Sequence, residues 1–156
     1  GIQNEKEARE AYQDILIRAR RFLPDADIWG VAVQQMVEQG KEIILGVTKD
    51  PTFGHMVMFG LGGIYVEVLK DVQFGIAPIT PTQAREMITN LRSYPLLTGV
   101  RGEAASDIEA MSDCLLRVSQ MVTGLPQIVE LDINPLFVYE AGKGVMAVDA
   151  RIVISE

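Results

Sequence analysis

The sequence predicts an α+β fold, a mostly antiparallel sheet packed against helices in two layers, with residues 1–156 read as a single domain. Three observations carry that expectation. Short apolar runs of strand length crowd residues 28–79. Helical periodicity appears at 4–23, 80–91 and 105–122, and the chain closes on two strand-like runs around a glycine turn. Apolar residues make up 48% and charged residues 22%, an ordinary globular composition with enough chain for a sizeable core. No internal repeat or low-complexity tract interrupts it.

The first helix is expected over 4–23, because Ala8, Ala11, Tyr12, Ile15, Leu16 and Ala19 recur at helical spacing behind Asn4 as N-cap. The break "LPDAD" follows. "IWGVAVQQMV" (28–37) and "EIILGVTKD" (42–50) read as strands joined by the turn "EQGK", and "HMVMFG" (55–60) as a buried strand. "IYVEVLKDVQFGIAPI" (64–79) alternates apolar and polar residues around Glu67 and Asp71, a strand pattern. Thr80 and Pro81 open the helix "TPTQAREMITNL" (80–91), since proline is tolerated at the first helical position. "RSYPLLTGVRGEA" reads as loop, "ASDIEAMSDCLLRVSQMV" (105–122) as a long amphipathic helix, and 127–140 and 144–154 as strands around "AGKG".

Charge and side-chain chemistry remove several function classes. The net charge of −7 argues against nonspecific nucleic-acid binding, which needs a basic footprint. Arg18, Arg20 and Arg21 form the longest basic grouping, and they read as a solvated helix face. No apolar run reaches the roughly 18–20 residues that span a bilayer, and "GIQNEKEARE" has no signal-peptide character. Cys114 is alone, so no intramolecular disulfide forms and a reducing, cytoplasmic setting is expected; its neighbours Met111, Leu115 and Leu116 suggest a buried, inert thiol. His55 is the single histidine, expected at a surface or turn, and one His with one Cys is too few for zinc.

Two stretches could carry chemistry. "GLGGIYVEV" (60–68) has Gly60, Gly62 and Gly63, but the third glycine comes too early for G-x-G-x-x-G, and no Lys-Ser/Thr end of a P-loop follows. With strands expected on both sides, it is either a plain tight turn or a loop facing a phosphate or a partner, with Glu67 a weaker candidate beside it. The terminal hairpin is more informative. Glu130, Asp132 and Asn134 fall at i, i+2, i+4 and so share one strand face, opposite Val129, Leu131 and Ile133. Pairing across "AGKG" brings Asn134 near Asp149, and two hard oxygen donors on neighbouring strands suit Mg²⁺. The plainer reading is a polar face turned to water.

"ELDINPLFV" followed by "GVMAVDARI" resembles the end of the ATP-grasp fold in ADP-forming acyl-CoA synthetases, relatives of succinyl-CoA synthetase. "VAVQQMV..GKEIILGVTKDPTFGHMVMFGLGGIYVEVLKDV" is similar to that family's central block, and "GVRGEAASD" to a further segment, so the resemblance runs along essentially the whole chain. It implies an ATP-grasp-like fold that binds ATP or ADP with Mg²⁺. By position, Asn134 and Asp149 match the Mg²⁺ ligands. Gln34, Gln35, Met36 and Val37 match the hinge strand whose backbone reads adenine, and Glu42 matches an acid near the nucleotide. Asp132 stands where the family's E-I-N-P-L motif has a carboxylate near the phosphate-accepting histidine, one methylene shorter here.

The implied chemistry is acyl-CoA + ADP + phosphate ⇌ acid + CoA + ATP through a phosphohistidine relay, with acetate or another short acid as substrate. The family's lysine-bearing segment and histidine loop have no counterpart here, and His55 stands where the family pattern has proline. The resemblance therefore implies the C-terminal portion of an ATP-grasp module, inactive alone and completed by a CoA-binding and phosphohistidine domain or subunit. Two alternatives stand beside it: a regulatory nucleotide-binding module fused to a protein acetyltransferase, and a structural domain without a nucleotide site.

Overall fold

A computed structural model describes residues 1–100 and 102–155. Arg101, inside "GVRGEAASD", and Glu156 lie outside the described residues. The chain forms two compact units, Gly1–Glu38 and Gln39–Glu156, each described by itself.

In the first unit, helix α1 spans Glu5–Phe22. Its start matches the sequence expectation: Glu7 N donates to Asn4 Oδ1 at 3.0 Å, and Asn4 Nδ2 donates to Glu7 Oε1 at 2.7 Å. Arg9–Glu5 and Arg18–Asp14 pairs, each 2.6 Å, follow the i,i+4 spacing, and no residue of the helix is buried. The run 28–37 differs from the expectation, for it forms no strand, and the hairpin through "EQGK" does not exist. A strand's backbone bonds must come from a neighbouring strand, and none of the described strands pairs with this run. Trp29 and Val33 are consequently almost fully exposed.

The second unit holds the sheet. Strands β1 (Lys41–Asp50), β2 (Gly54–Leu61), β3 (Val72–Ile76), β4 (Ile128–Val138), β5 (Val145–Ala147) and β6 (Ala150–Ile154) pair antiparallel in the order β3-β2-β1-β4-β5, with β6 also on β4. The β1–β2 turn is set by Asp50, whose Oδ1 accepts from Thr52 N (2.7 Å) and Phe53 N (2.9 Å). Alternation directs Ile43, Leu45 and Val47 of β1 and Val57, Phe59 and Leu61 of β2 to one face, where Leu131, Leu136 and Val138 of β4 join them. Helices α3 (Pro81–Thr89) and α5 (Ile108–Gly124) cover that face with Ala84, Met87, Ile88, Met111, Leu115, Val118 and Val122. Each large side chain fully buried there contributes about 1.5–3 kcal/mol. The fold is thus the expected antiparallel sheet against helices.

Several local expectations change. Residues 64–79 hold a short helix, α2 (Ile64–Glu67), before β3, so the glycines of "GLGG" lead into a helical turn and not into a strand. Asp71 explains the break: its carboxylate is buried and accepts from Arg92 N (3.0 Å) and Ser93 N (2.7 Å), which draws the chain down between α2 and β3. A short helix, α4 (Tyr94–Leu97), lies in the stretch read as loop. His55 is buried on the helix side of β2 and not at a turn; its Nε2 lies 2.7 Å from the Ile128 carbonyl, so it carries the proton and donates. The turn ends one residue earlier, at Gly54, whose φ is +79°. Cys114 is half-buried on α5, packed against the core where a buried thiol was expected, and burial, helped by the Asp113 charge and opposed by Arg117, pushes its thiol pKa up.

Asp107 joins the helical layer to the terminal hairpin. Its Oδ1 caps α5 by accepting from Ala110 N at 3.0 Å, while Oδ2 accepts from Gly142 N and Gly144 N, both at 2.9 Å. The bonds from Ala110 and Gly144 outweigh the cost of burial, and with Gly142 they hold the carboxyl below its ordinary value. A depressed folded-state pKa contributes stability that is complete above the unfolded value of about 3.9 and is lost as pH falls through the folded value. Asp107→Asn is expected to lower stability at pH 7 by about 1–3 kcal/mol, with the deficit shrinking below about pH 4. Urea melts at pH 7 and pH 3 check this; an equal deficit at both pH values would count against the carboxylate's role.

Candidate functional site

The sheet face opposite the helices is open to solvent and carries the polar residues singled out in the sequence. On β4, Glu130 and Asn134 are exposed and Asp132 is half-buried, while Leu131 between them is buried, which is the alternation expected. Across the "AGKG" turn the hairpin keeps one register, from Val138↔Val145 through Ile133↔Ala150 and Asp132↔Arg151 to Glu130↔Val153. Within it Asn134 N donates to the Asp149 carbonyl at 3.1 Å and Val148 N to the Pro135 carbonyl at 3.1 Å. Asn134 and Asp149 therefore stand directly opposite each other, and the same alternation turns both to the open face.

The expected strand 144–154 appears as β5 and β6 because Pro135 sits opposite the gap between them. Proline donates no N–H, so one ladder bond is missing there. On the other edge of β4 the pairing with β1 steps from Leu45↔Ile133 to Ile43↔Leu136, leaving Asn134 and Pro135 against Ile44 alone. That extra residue is a β-bulge, a device that re-aims side chains. It lets Ile133 and Leu136 both face the helices while Asn134 stays on the open side.

Glu42 lies at the end of the same face. It is exposed on β1, paired with Phe137, and its carbonyl accepts from Gly62 N at 2.7 Å. Of the nearby glycines, Gly62 packs closely against it, while Gly60 packs against Asp71 and Val72. A Cβ on Gly62 would meet Glu42 Cβ at 3.0 Å, one on Gly60 would meet the Asp71 carbonyl at 2.8 Å, and Gly63 needs its φ of +60°. The turn reading thus accounts for Gly60 and Gly62 by close approach, and Glu67 lies in α2, exposed.

Glu42, Asp132, Asn134 and Asp149 share one face of the second unit; Gln34, Gln35, Met36 and Val37 lie in the first unit, outside any strand. The hinge-strand expectation for that quartet is corrected to an irregular segment. Concave grooves line α1 (Asn4, Glu5, Arg9) and the outer side of α3 and α5 (Arg85, Glu109, Asp113), and none of the expected site residues line them. Sequence reasoning missed Arg151, the Cα partner of Asp132, whose Nη2 lies 2.9 Å from Glu130 Oε2. Its signal was present, for it falls two positions after Asp149 in the same alternation.

A protein-family model described as an ATP-grasp domain matches residues 1–154, and the chain belongs to that family. Among its relatives, the beta subunit of acetate–CoA ligase (ADP-forming) II of Pyrococcus furiosus is 51% identical over 154 residues, 98% of this chain. The chain spans 65% of that relative's length. A structure of the dinucleotide-forming acetyl-coenzyme A synthetase 1 of Ca. Korarchaeum cryptofilum, with coenzyme A, acetyl-coenzyme A and a phosphorylated phosphohistidine segment, matches with TM-score 0.92 at 42% identity, covering 99% of this chain and 68% of that one. The same enzyme with coenzyme A and Mg-AMPPCP, its phosphohistidine segment pointing towards the nucleotide binding site, matches with TM-score 0.85 at 38% identity, covering 99% and 66%.

The packing around the glycines makes a prediction. Gly60→Ala drives a methyl into the Asp71 carbonyl and is expected to cost about 1–3 kcal/mol. Gly124→Ala, with nothing within 4 Å, should be neutral or stabilising by up to about 1 kcal/mol. Thermal melts of the two variants check the contrast, and similar melting points would contradict it.

Proposed function

We propose that this chain contributes a nucleotide- and Mg²⁺-binding face to an ADP-forming acyl-CoA synthetase, with acetyl-CoA the first acyl-CoA to test: acyl-CoA + ADP + phosphate ⇌ acid + CoA + ATP. The observation that carries the reading is the pair Asn134 and Asp149, opposed in register on the open face of a chain of ATP-grasp family.

The donor set fits the metal. Both side chains offer hard oxygens, both are exposed, and no group of three or more His, Cys, Asp or Glu clusters among the described residues. Mg²⁺ takes one or two protein oxygens and fills its octahedron with water and phosphate, whereas zinc and calcium sites require more protein ligands. Asn134 and Asp149 would hold the ion, which when bound neutralises charge on the nucleotide phosphates. Glu42 and the segment Gln34, Gln35, Met36 and Val37 are read as nucleotide contacts, and Asp132 as the carboxylate that meets a phosphate-accepting histidine.

That histidine has to come from a partner domain or subunit that also binds CoA. His55 is the chain's single histidine, and its Nε2 is committed to the Ile128 carbonyl. The lone cysteine accords with a reducing, cytoplasmic setting, and no described helix is long and apolar enough to cross a membrane. Asp149→Asn should weaken Mg-ADP binding about tenfold or more in calorimetry, since it removes a charged metal ligand; unchanged affinity would sink the metal assignment. The chain assayed alone is expected to form no acyl-CoA, and measurable turnover would show that no outside histidine is needed.

A further inference from the structure

The open face is acidic where a polyphosphate would have to lie. Along β1, β4 and β6 its outward residues include Glu42, Glu130 and Asp132, with Asp149 beside them, and among the described outward residues of these strands Arg151 is the one cation. Arg151 lies two positions after Asp149, with Ala150 alone between them, about 7 Å along the chain. A side chain as long as arginine's, rooted there, reaches both towards Glu130 and back towards the Asn134–Asp149 pair.

Arg151 is held by Glu130 at 2.9 Å, across the diagonal of the hairpin, with the two side chains 71% and 55% exposed. An exposed pair of this kind is weak, so the guanidinium can be redirected at little cost. Phosphate offers it a better partner, because the planar fork of arginine donates two parallel hydrogen bonds to phosphate oxygens. We propose that Arg151 is the phosphate-contacting cation of this face: it leaves Glu130 when a nucleoside di- or triphosphate binds and meets the terminal phosphate beside the metal held by Asn134 and Asp149. Glu130 keeps the guanidinium on the face in the absence of the anion and competes with that anion for it. This assignment rests on the nucleotide reading of the face.

Calorimetric titration of Mg-ATP into the chain and its variants tests it. Arg151→Gln is expected to bind about tenfold more weakly or worse, Arg151→Lys to fall between it and the parent, and Glu130→Gln to bind about two- to fivefold more tightly. The salt dependence of binding should also become shallower in Arg151→Gln, because one cation–phosphate contact is gone. Affinity of Arg151→Gln within about twofold of the parent, while Asp149→Asn is weakened, overturns the role of Arg151 and leaves the nucleotide face standing. No Mg-ATP binding by the parent, or none of it sensitive to Asp149→Asn, overturns the nucleotide reading and this assignment with it. If Arg151→Gln does not fold by thermal melting, Glu130→Gln decides: unchanged or weaker binding overturns the proposal.

Discussion

Strand β4 is hydrogen-bonded along both edges, to β1 on one side and to β5 and β6 on the other, and the arrangement of the second unit depends on that double pairing. One side of the strand supplies Leu131, Leu136 and Val138 to the core under α3 and α5, and the other presents Glu130, Asp132 and Asn134. A slip of one residue would exchange the two sets, burying carboxylates and exposing leucines, so burial itself holds the register. The bulge at Asn134–Pro135 is what lets the apolar requirement be met on both sides of it without turning Asn134 inward.

The carboxylates of the unit divide by what surrounds them. Asp107 and Asp71 are buried, and each is satisfied by backbone N–H groups, from Ala110, Gly142 and Gly144 in one case and from Arg92 and Ser93 in the other. Burial disfavours the charge of Asp71, and the bonds from Ser93 and Arg92 together with the Arg92 guanidinium more than offset it, leaving its pKa lowered. These groups tie helices to strands and turns. Glu42, Glu130 and Asp149, by contrast, remain exposed on the open face. Exposed carboxylates of this kind are open to cations, as the Arg151 contact with Glu130 illustrates, whereas the buried ones are committed to backbone N–H groups.

Legibility followed the range of the interactions. Asn4 and Thr80 were readable because a cap is settled within three residues, and both accept the expected bond from the third residue of their helices. The alternation of Glu130, Asp132 and Asn134 was readable because the strand period is local. The run 28–37 misled, since its β-rich composition says nothing about whether a partner strand exists. Residues 64–71 misled too: their alternation is as good as a strand's, yet Asp71 is drawn to Arg92 and Ser93, some twenty residues away in sequence, and the chain coils into α2 on the way. His55 opens the expected strand 55–60 but was expected as a surface or turn side chain, and what buries it is a contact with the Ile128 carbonyl, 73 residues away in sequence.

By itself the sequence determined the α+β class, the helix caps, the polar face of β4 and, through a resemblance spread along the chain, an ATP-grasp family to which the chain indeed belongs. Periodicity and capping are properties of adjacent residues, and no partner is needed to express them. Only the tertiary structure decided that Arg151 stands beside Asp132 on the Glu130 carboxylate, and that Gly62 packs against Glu42 before a helical turn. Those facts depend on which strands pair and in which register, and pairing is settled by burying one face of the whole sheet at once.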